Sequence, residues 1–235
     1  MIELNNIEIG HKSTLFRIEN IALSKGKMYV LIGANGAGKT TFLQSIIGFL
    51  KTVKGEIQID GGNVLLLNRI ERAKKIAFVN SKFEGIEFLR VREYIALGRA
   101  PYTNALGRLS KEDTIIVEET IELLHIHHLA DLFTTELSDG ERQMAAIARA
   151  ITQQTDLIIL DEPTAFLDYA NRQKVMRLMK DISIRLNKCI VVSSHDLELC
   201  LESAVDLLVV NKNKQKLEHI LPNSIDKEGV IQIGF

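Results

Sequence analysis

An α/β fold built on a mostly parallel sheet is predicted by three observations. The apolar run Met28–Ile32 leads into a glycine-rich stretch and then into a helical pattern at residues 42–47, the order strand, tight loop, helix. Leu157–Leu160 and residues 190–192 are continuous apolar runs, the character of parallel strands buried on both faces. Residues 91–97, 113–132 and 169–186 instead space their apolar side chains at helical intervals.

The 235 residues are expected to form one domain with subdomains, since a layer of this size buries a sizeable core. Lys+Arg 29 against Asp+Glu 30 leaves a formal net charge of -1, so no global basic field exists to hold nucleic acid or an anionic bilayer. No apolar run reaches the length of roughly 18 to 20 residues that spans a membrane. The start M-I-E-L-N-N has neither signal-peptide nor transit-peptide character, so a cytoplasmic location is expected. Cys189 and Cys200 have no CxxC partner and read as reduced thiols in or near the core.

Taken in order, residues 2–9 and 14–22 carry apolar residues at strand spacing and are joined at Gly10, His11, Lys12 and Ser13, which predicts a hairpin. Residues 33–41 read G-A-N-G-A-G-K-T-T. Glycines at 33, 36 and 38 let the backbone wrap an anion with its N–H groups at a helix N-terminus. Lys39 is placed to reach β- and γ-phosphates, and the Thr40 hydroxyl to ligate Mg²⁺. Gly48 and Gly55 bracket a turn, residues 56–60 alternate as a half-buried strand, and residues 75–79 form another strand broken by Asn80, Ser81 and Lys82. The helical segments that follow are expected to interrupt the sheet. His125, His127 and His128 sit at the end of one such helix and lack the spacing and carboxylate partners of a metal site.

Ser138 followed by Glu141 is a capping box that opens a helix running to Thr152, and such capped N-termini attract phosphate. The strand Leu157–Leu160 ends in Asp161 and Glu162. Side chains alternate along a strand, so the two acids are free for separate tasks: Asp161 in a Mg²⁺ shell, Glu162 polarising the attacking water. His195 follows the strand at 190–192, on the edge where open α/β sheets bind ligands. After residues 207–210 the tail is short and charged.

The glycine-rich loop, L-S-D-G-E-R-Q about a hundred residues later, L-I-I-L-D-E-P-T, the following A-F-L-D and His195, in this order, resemble the nucleotide-binding subunit of an ABC transporter. V-R-E-Y-I-A-L-G-R-A-P-Y (residues 91–102) is further similar to the importer branch that handles iron–siderophores, haem and cobalamin. The resemblance implies a P-loop NTPase core with an N-terminal antiparallel β subdomain and an inserted helical signature subdomain near residues 88–153. It implies ATP and Mg²⁺ as cofactors. Gly33, Asn35, Gly36, Ala37, Gly38, Lys39, Thr40 and Thr41 would bind the phosphates, while Ser138 and Gly140 would reach the γ-phosphate from a second subunit. Asp161 would support Mg²⁺, Glu162 would be the general base, His195 would hold the γ-phosphate and water, and Asp168 would align the halves. The partners implied are a second copy, polytopic permease subunits at the cytoplasmic face of the membrane and, through them, an extracytoplasmic binding protein.

Three positions depart from the family pattern. His11 stands where an aromatic, commonly Tyr, stacks on adenine; Asp139 replaces a glycine of the signature; and Ser81 aligns with a Gln that approaches Mg²⁺ and water. These departures leave open a catalytically weak partner subunit. A soluble ABC ATPase acting on DNA or ribosomes is the other alternative, with a duplicated domain, a long coiled coil or a basic surface as its expected marks.

Overall fold

The computed structural model describes residues 1–104 and 106–234. Its strands are β1 (Ile2–Gly10), β2 (Thr14–Leu23), β3 (Met28–Ile32), β4 (Ile57–Ile59), β5 (Gly62–Asn63), β6 (Ile76–Val79), β7 (Leu157–Leu160), β8 (Cys189–Ser193), β9 (Asp206–Asn211) and β10 (Lys216–Ile220). The helices are α1 (Lys39–Ile46), α2 (Arg69–Lys75), α3 (Val91–Ala96), α4 (Lys111–Leu123), α5 (Asp139–Thr152), α6 (Tyr169–Arg185), α7 (Leu197–Glu202) and α8 (Lys227–Gly234).

Among the described residues the strands form one ten-stranded sheet in the order β5-β4-β1-β2-β10-β9-β3-β8-β7-β6. Strands β9, β3, β8, β7 and β6 run parallel, whereas β1, β2, β4 and β5 pair antiparallel. The expected architecture, a parallel core with an antiparallel N-terminal part, is therefore present. Strand β3 is buried throughout because both sheet faces are covered: Met28, Val30 and Ile32 pack into the core beneath α3 to α8, while Tyr29 and Leu31 pack beneath β1, β2 and α1. Helices α3, α4 and α5 pack on one another, and the buried ion pair between Arg99 and Asp113 at 2.8 Å ties the 3₁₀ turn Leu97–Tyr102 to α4.

Several boundaries differ from the sequence expectation. The helix predicted over 113–132 stops at Leu123, because Leu124 caps it and His125 turns into left-handed backbone at φ 55°, leaving a short 3₁₀ turn at His127–Leu129. The strand expected from Lys75 begins at Ile76, since Lys75 closes α2. Helix α2 buries no residue and so leaves no apolar periodicity; its legible mark is the capping box of Asn68 and Glu71. The charged tail contains β10 and α8, and β10 joins the two halves of the sheet by pairing with β9 and, at Lys216, with β2. Cys189 and Cys200 are unbridged and buried, and burial pushes both thiols up to about 12. No described helix is long and apolar enough to cross a membrane.

Candidate active site

The parallel strands deliver the chemistry-bearing residues to one edge of the sheet. β3 runs into Gly33, β7 into Asp161 and Glu162, and β8 into His195; β3 and β7 flank β8. This is the carboxyl edge, where an α/β sheet leaves room for a ligand. The loop ahead of α1 has Gly36 at φ 74° and Gly38 at φ 99°. A Cβ on Gly38 would meet Leu15 at 3.0 Å and Phe16 at 3.2 Å, so glycine is required there by both dihedral and space. The same contact sets the start of β2 against the loop, three residues beyond the exposed His11 turn.

Asn35 and Gly36 are exposed at the loop tip, Ala37 is buried beneath it, and Thr41 accepts the Ser45 hydroxyl within α1. Lys39 is buried and folds back over the loop, donating to the carbonyl oxygens of Gly33 at 2.9 Å and Ala34 at 3.5 Å. Burial pushes its ammonium pKa down, opposed by the nearby carboxylates of Glu162 and Asp161. Thr40 Oγ1 donates to Asp161 Oδ2 at 3.2 Å, which brings together a hydroxyl and a carboxylate 121 positions apart in the chain. Glu162 has φ 45°, left-handed backbone for a side-chain-bearing residue, and its Oε2 lies 3.5 Å from His195 Nδ1.

Other predicted residues make no hydrogen bond to this cluster within one chain. Ser138 caps α5 and Gly140 sits in its first turn, and neither hydrogen-bonds to the loop, Asp161, Glu162 or His195. Asp139 turns to Arg142, Oδ1 to Nη2 at 2.7 Å. Asp168 caps α6 by accepting from the Asn171 amide at 2.9 Å, and Arg172 steadies that turn through the Leu167 carbonyl and Asp196. Ser81 lines a small cavity with Asp139, Gln143, Pro163 and Phe166, and makes no hydrogen bond to Thr40 or Asp161.

Two features escaped the sequence reading. Ser193 is fully buried between β7 and β3 and bonds to both Asp161 and the Glu162 amide. The end of α8 returns to the glycine-rich loop, where Gly234 O accepts from the Ala34 amide at 3.1 Å. Ser193 carried a signal in its place at the end of an apolar run beside His195; the α8 contact carried none.

The glycine-rich loop before α1, with paired acids at the end of a parallel strand one place beyond β8, defines a P-loop nucleotide-binding fold. The profile of the ABC transporter family matches residues 16–165, and the chain belongs to this family of ATP-binding, ATP-hydrolysing subunits. It is 32% identical over 222 residues to the petrobactin import ATP-binding protein FpuC of Bacillus anthracis, covering 94% of this chain and 81% of FpuC. An inward-facing structure described as a metal-chelate type ABC transporter superposes with TM-score 0.84 at 27% identity, covering 100% of this chain and 88% of that one. The ATP-binding cassette MJ0796, solved as a dimer in a post-hydrolysis state with ADP and Pi, gives TM-score 0.78 at 25% identity over 96% of this chain and 100% of the cassette.

Proposed function

We propose that this chain is the Mg²⁺-dependent ATPase subunit of a membrane importer for a metal chelate of the iron–siderophore, haem or cobalamin type. The observation that carries the proposal is the convergence of Lys39, Thr40, Asp161, Glu162 and His195 at one sheet edge, with Thr40 on Asp161 and His195 beside Glu162. The similarity to a petrobactin import subunit and to a metal-chelate type transporter supports the cargo class.

Residues 33–41 would hold the phosphates through backbone amides and Lys39. The donor set of one hydroxyl and one carboxylate oxygen fits Mg²⁺, a hard ion that keeps several waters and takes its remaining ligands from substrate phosphates. When bound, Mg²⁺ supplies charge neutralisation at the β- and γ-phosphates. Thr40 and Asp161 would orient it, Ser81 would act only through its loop, Glu162 would accept the proton of the attacking water, and His195 would orient Glu162 and the γ-phosphate.

Ser138 and Gly140 would belong in this reading to the site of a second copy, since within one chain neither hydrogen-bonds to the phosphate loop; Asp168 would align the two copies and His11 would lie against adenine. Residues 1–235 act as one nucleotide-binding domain, with a helical subdomain near residues 88–153. The permease would dock on the groove of 800 Å³ lined by Ile47, Phe49, Arg69, Arg72, Ile76 and Phe78, with Phe49 74% exposed at its rim. A cytoplasmic helix of the permease would be its occupant, with the exposed Phe49 as the apolar contact it covers. The chain would then sit at the cytoplasmic face of the membrane, with the extracytoplasmic binding protein an indirect partner.

The test is turnover by the purified chain and by Glu162→Gln. The wild type should hydrolyse ATP only with Mg²⁺, and the variant should lose turnover, keep ATP binding and double its mass in solution on adding ATP. Turnover by the variant near the wild-type rate removes Glu162 as the base.

A further inference from the structure

Ser193 is the last residue of β8 and is completely inaccessible to solvent. Its hydroxyl donates to Asp161 Oδ1 at 2.6 Å and accepts from the Glu162 amide at 2.7 Å. A serine hydroxyl has one proton to give and lone pairs to receive, so both capacities are committed to the acidic pair. The parallel register explains why a side chain does this. β7 and β8 pair as far as Leu160 with Val192, and Asp161 N still bonds to Val79 O, but Glu162 then leaves the ladder through its left-handed φ of 45°. Its amide would be stranded at the sheet edge, and the Ser193 hydroxyl supplies the acceptor that the backbone no longer offers.

The two bonds have different consequences. The one to Oδ1 leaves Oδ2 as the Asp161 oxygen directed at Thr40, so the carboxylate presents a single, set oxygen to the position where Mg²⁺ would sit. The one to the Glu162 amide holds a strained backbone and with it the start of the side chain that faces His195.

We propose that Ser193 is a positioning residue of the hydrolytic site, orienting Asp161 toward the metal and Glu162 toward water through one hydroxyl. The proposal rests on the ATPase reading above. Removing the hydroxyl frees the Asp161 carboxylate to rotate and leaves the Glu162 amide unpaired, while Lys39 and the glycine-rich loop keep their own contacts.

The experiment compares wild type, Ser193→Ala, Ser193→Cys and Glu162→Gln. ATP affinity is measured by calorimetry in EDTA and again in excess Mg²⁺, and kcat and KM by phosphate release. Ser193→Ala is expected to keep Mg²⁺-free ATP affinity within about twofold, to lose most of the gain in affinity that Mg²⁺ brings, to lower kcat about tenfold, and to raise KM for the Mg²⁺-loaded nucleotide in step with that lost gain. Ser193→Cys, a weaker donor in the same place, should fall between the two. A Ser193→Ala protein with wild-type kcat and Mg²⁺ response overturns the proposal. So does equal loss of Mg²⁺-free ATP affinity in both Ser193 variants, which assigns the residue to packing. Loss of turnover in Glu162→Gln alongside wild-type behaviour in Ser193→Ala sinks the Ser193 role alone, whereas full turnover in Glu162→Gln sinks the reading beneath it.

Discussion

The Lys39 ammonium donates to the carbonyl oxygen of Gly33 at 2.9 Å, so the loop is closed by its own lysine upon its own first residue. Burial lowers the Lys39 pKa, and an incoming polyphosphate would offer the buried charge a far stronger partner than two carbonyls. Lys39→Ala is expected to weaken ATP binding by about 2 kcal/mol, roughly thirtyfold in affinity. Calorimetry checks this directly, and unchanged affinity refutes the phosphate role of the loop.

Asp139 is held off by Arg142 at 2.7 Å on the exposed first turn of α5. Arg142→Ala should release that carboxylate toward the phosphate of a partner copy and raise the ATP concentration needed for dimerisation several-fold. Adding Asp139→Gly should restore it, the signature of a coupled pair in a double-mutant cycle. Equal ATP requirements in the single and double variants, by light scattering, mean that Asp139 does not face the nucleotide.

The buried pair of Arg99 and Asp113 ties α4 to the preceding 3₁₀ turn, and Arg99 also reaches Thr152 O at 2.9 Å at the end of α5. Asp113→Ala leaves a buried guanidinium unpaired and should cost about 3 kcal/mol of stability, read from urea unfolding. The hydroxyl and amide of Ser110, then Arg99, draw the Asp113 pKa from 3.8 to about 2. A depressed carboxylate stabilises the fold above its unfolded pKa and loses that contribution as pH falls through the folded one. The stability gap between wild type and Asp113→Ala should therefore narrow as pH falls from about 4 to about 2. A gap independent of pH in that window argues against the assignment.

The groove beside Phe49 predicts a separation of functions. Phe49→Glu places a charge on an exposed apolar rim about which no nucleotide-site residue is arranged, so ATP binding by the isolated chain should persist while association with the permease is lost. Co-purification with the permease provides the measurement, and retention of Phe49→Glu at the wild-type level excludes this groove as the docking face.

Local chemistry made much of the molecule legible in one dimension. The glycines before Lys39, the apolar runs of β3, β7 and β8 and the Ser138 to Glu141 capping box each satisfy a requirement met within a few residues: a dihedral, a periodicity, an orphaned amide. Helix α2 left a weaker mark because it buries nothing, and the early end of α4 at Leu123 left less, because apolar spacing continued past a backbone reversal at His125.

What the tertiary structure alone decided are pairings between distant segments. Thr40 meets Asp161 across 121 positions of sequence and Ser193 meets Asp161 across 32, because parallel strands far apart in the chain end at one edge. Which residues are able to bind phosphate, give a proton or cap a helix was already set in one dimension, since those capacities belong to side chains and short backbone runs. The register of β7 on β8 determined that the Ser193 hydroxyl, which takes up the Glu162 amide, lies beside the acids, because strand pairing is set by packing of the whole sheet and not by any local stretch.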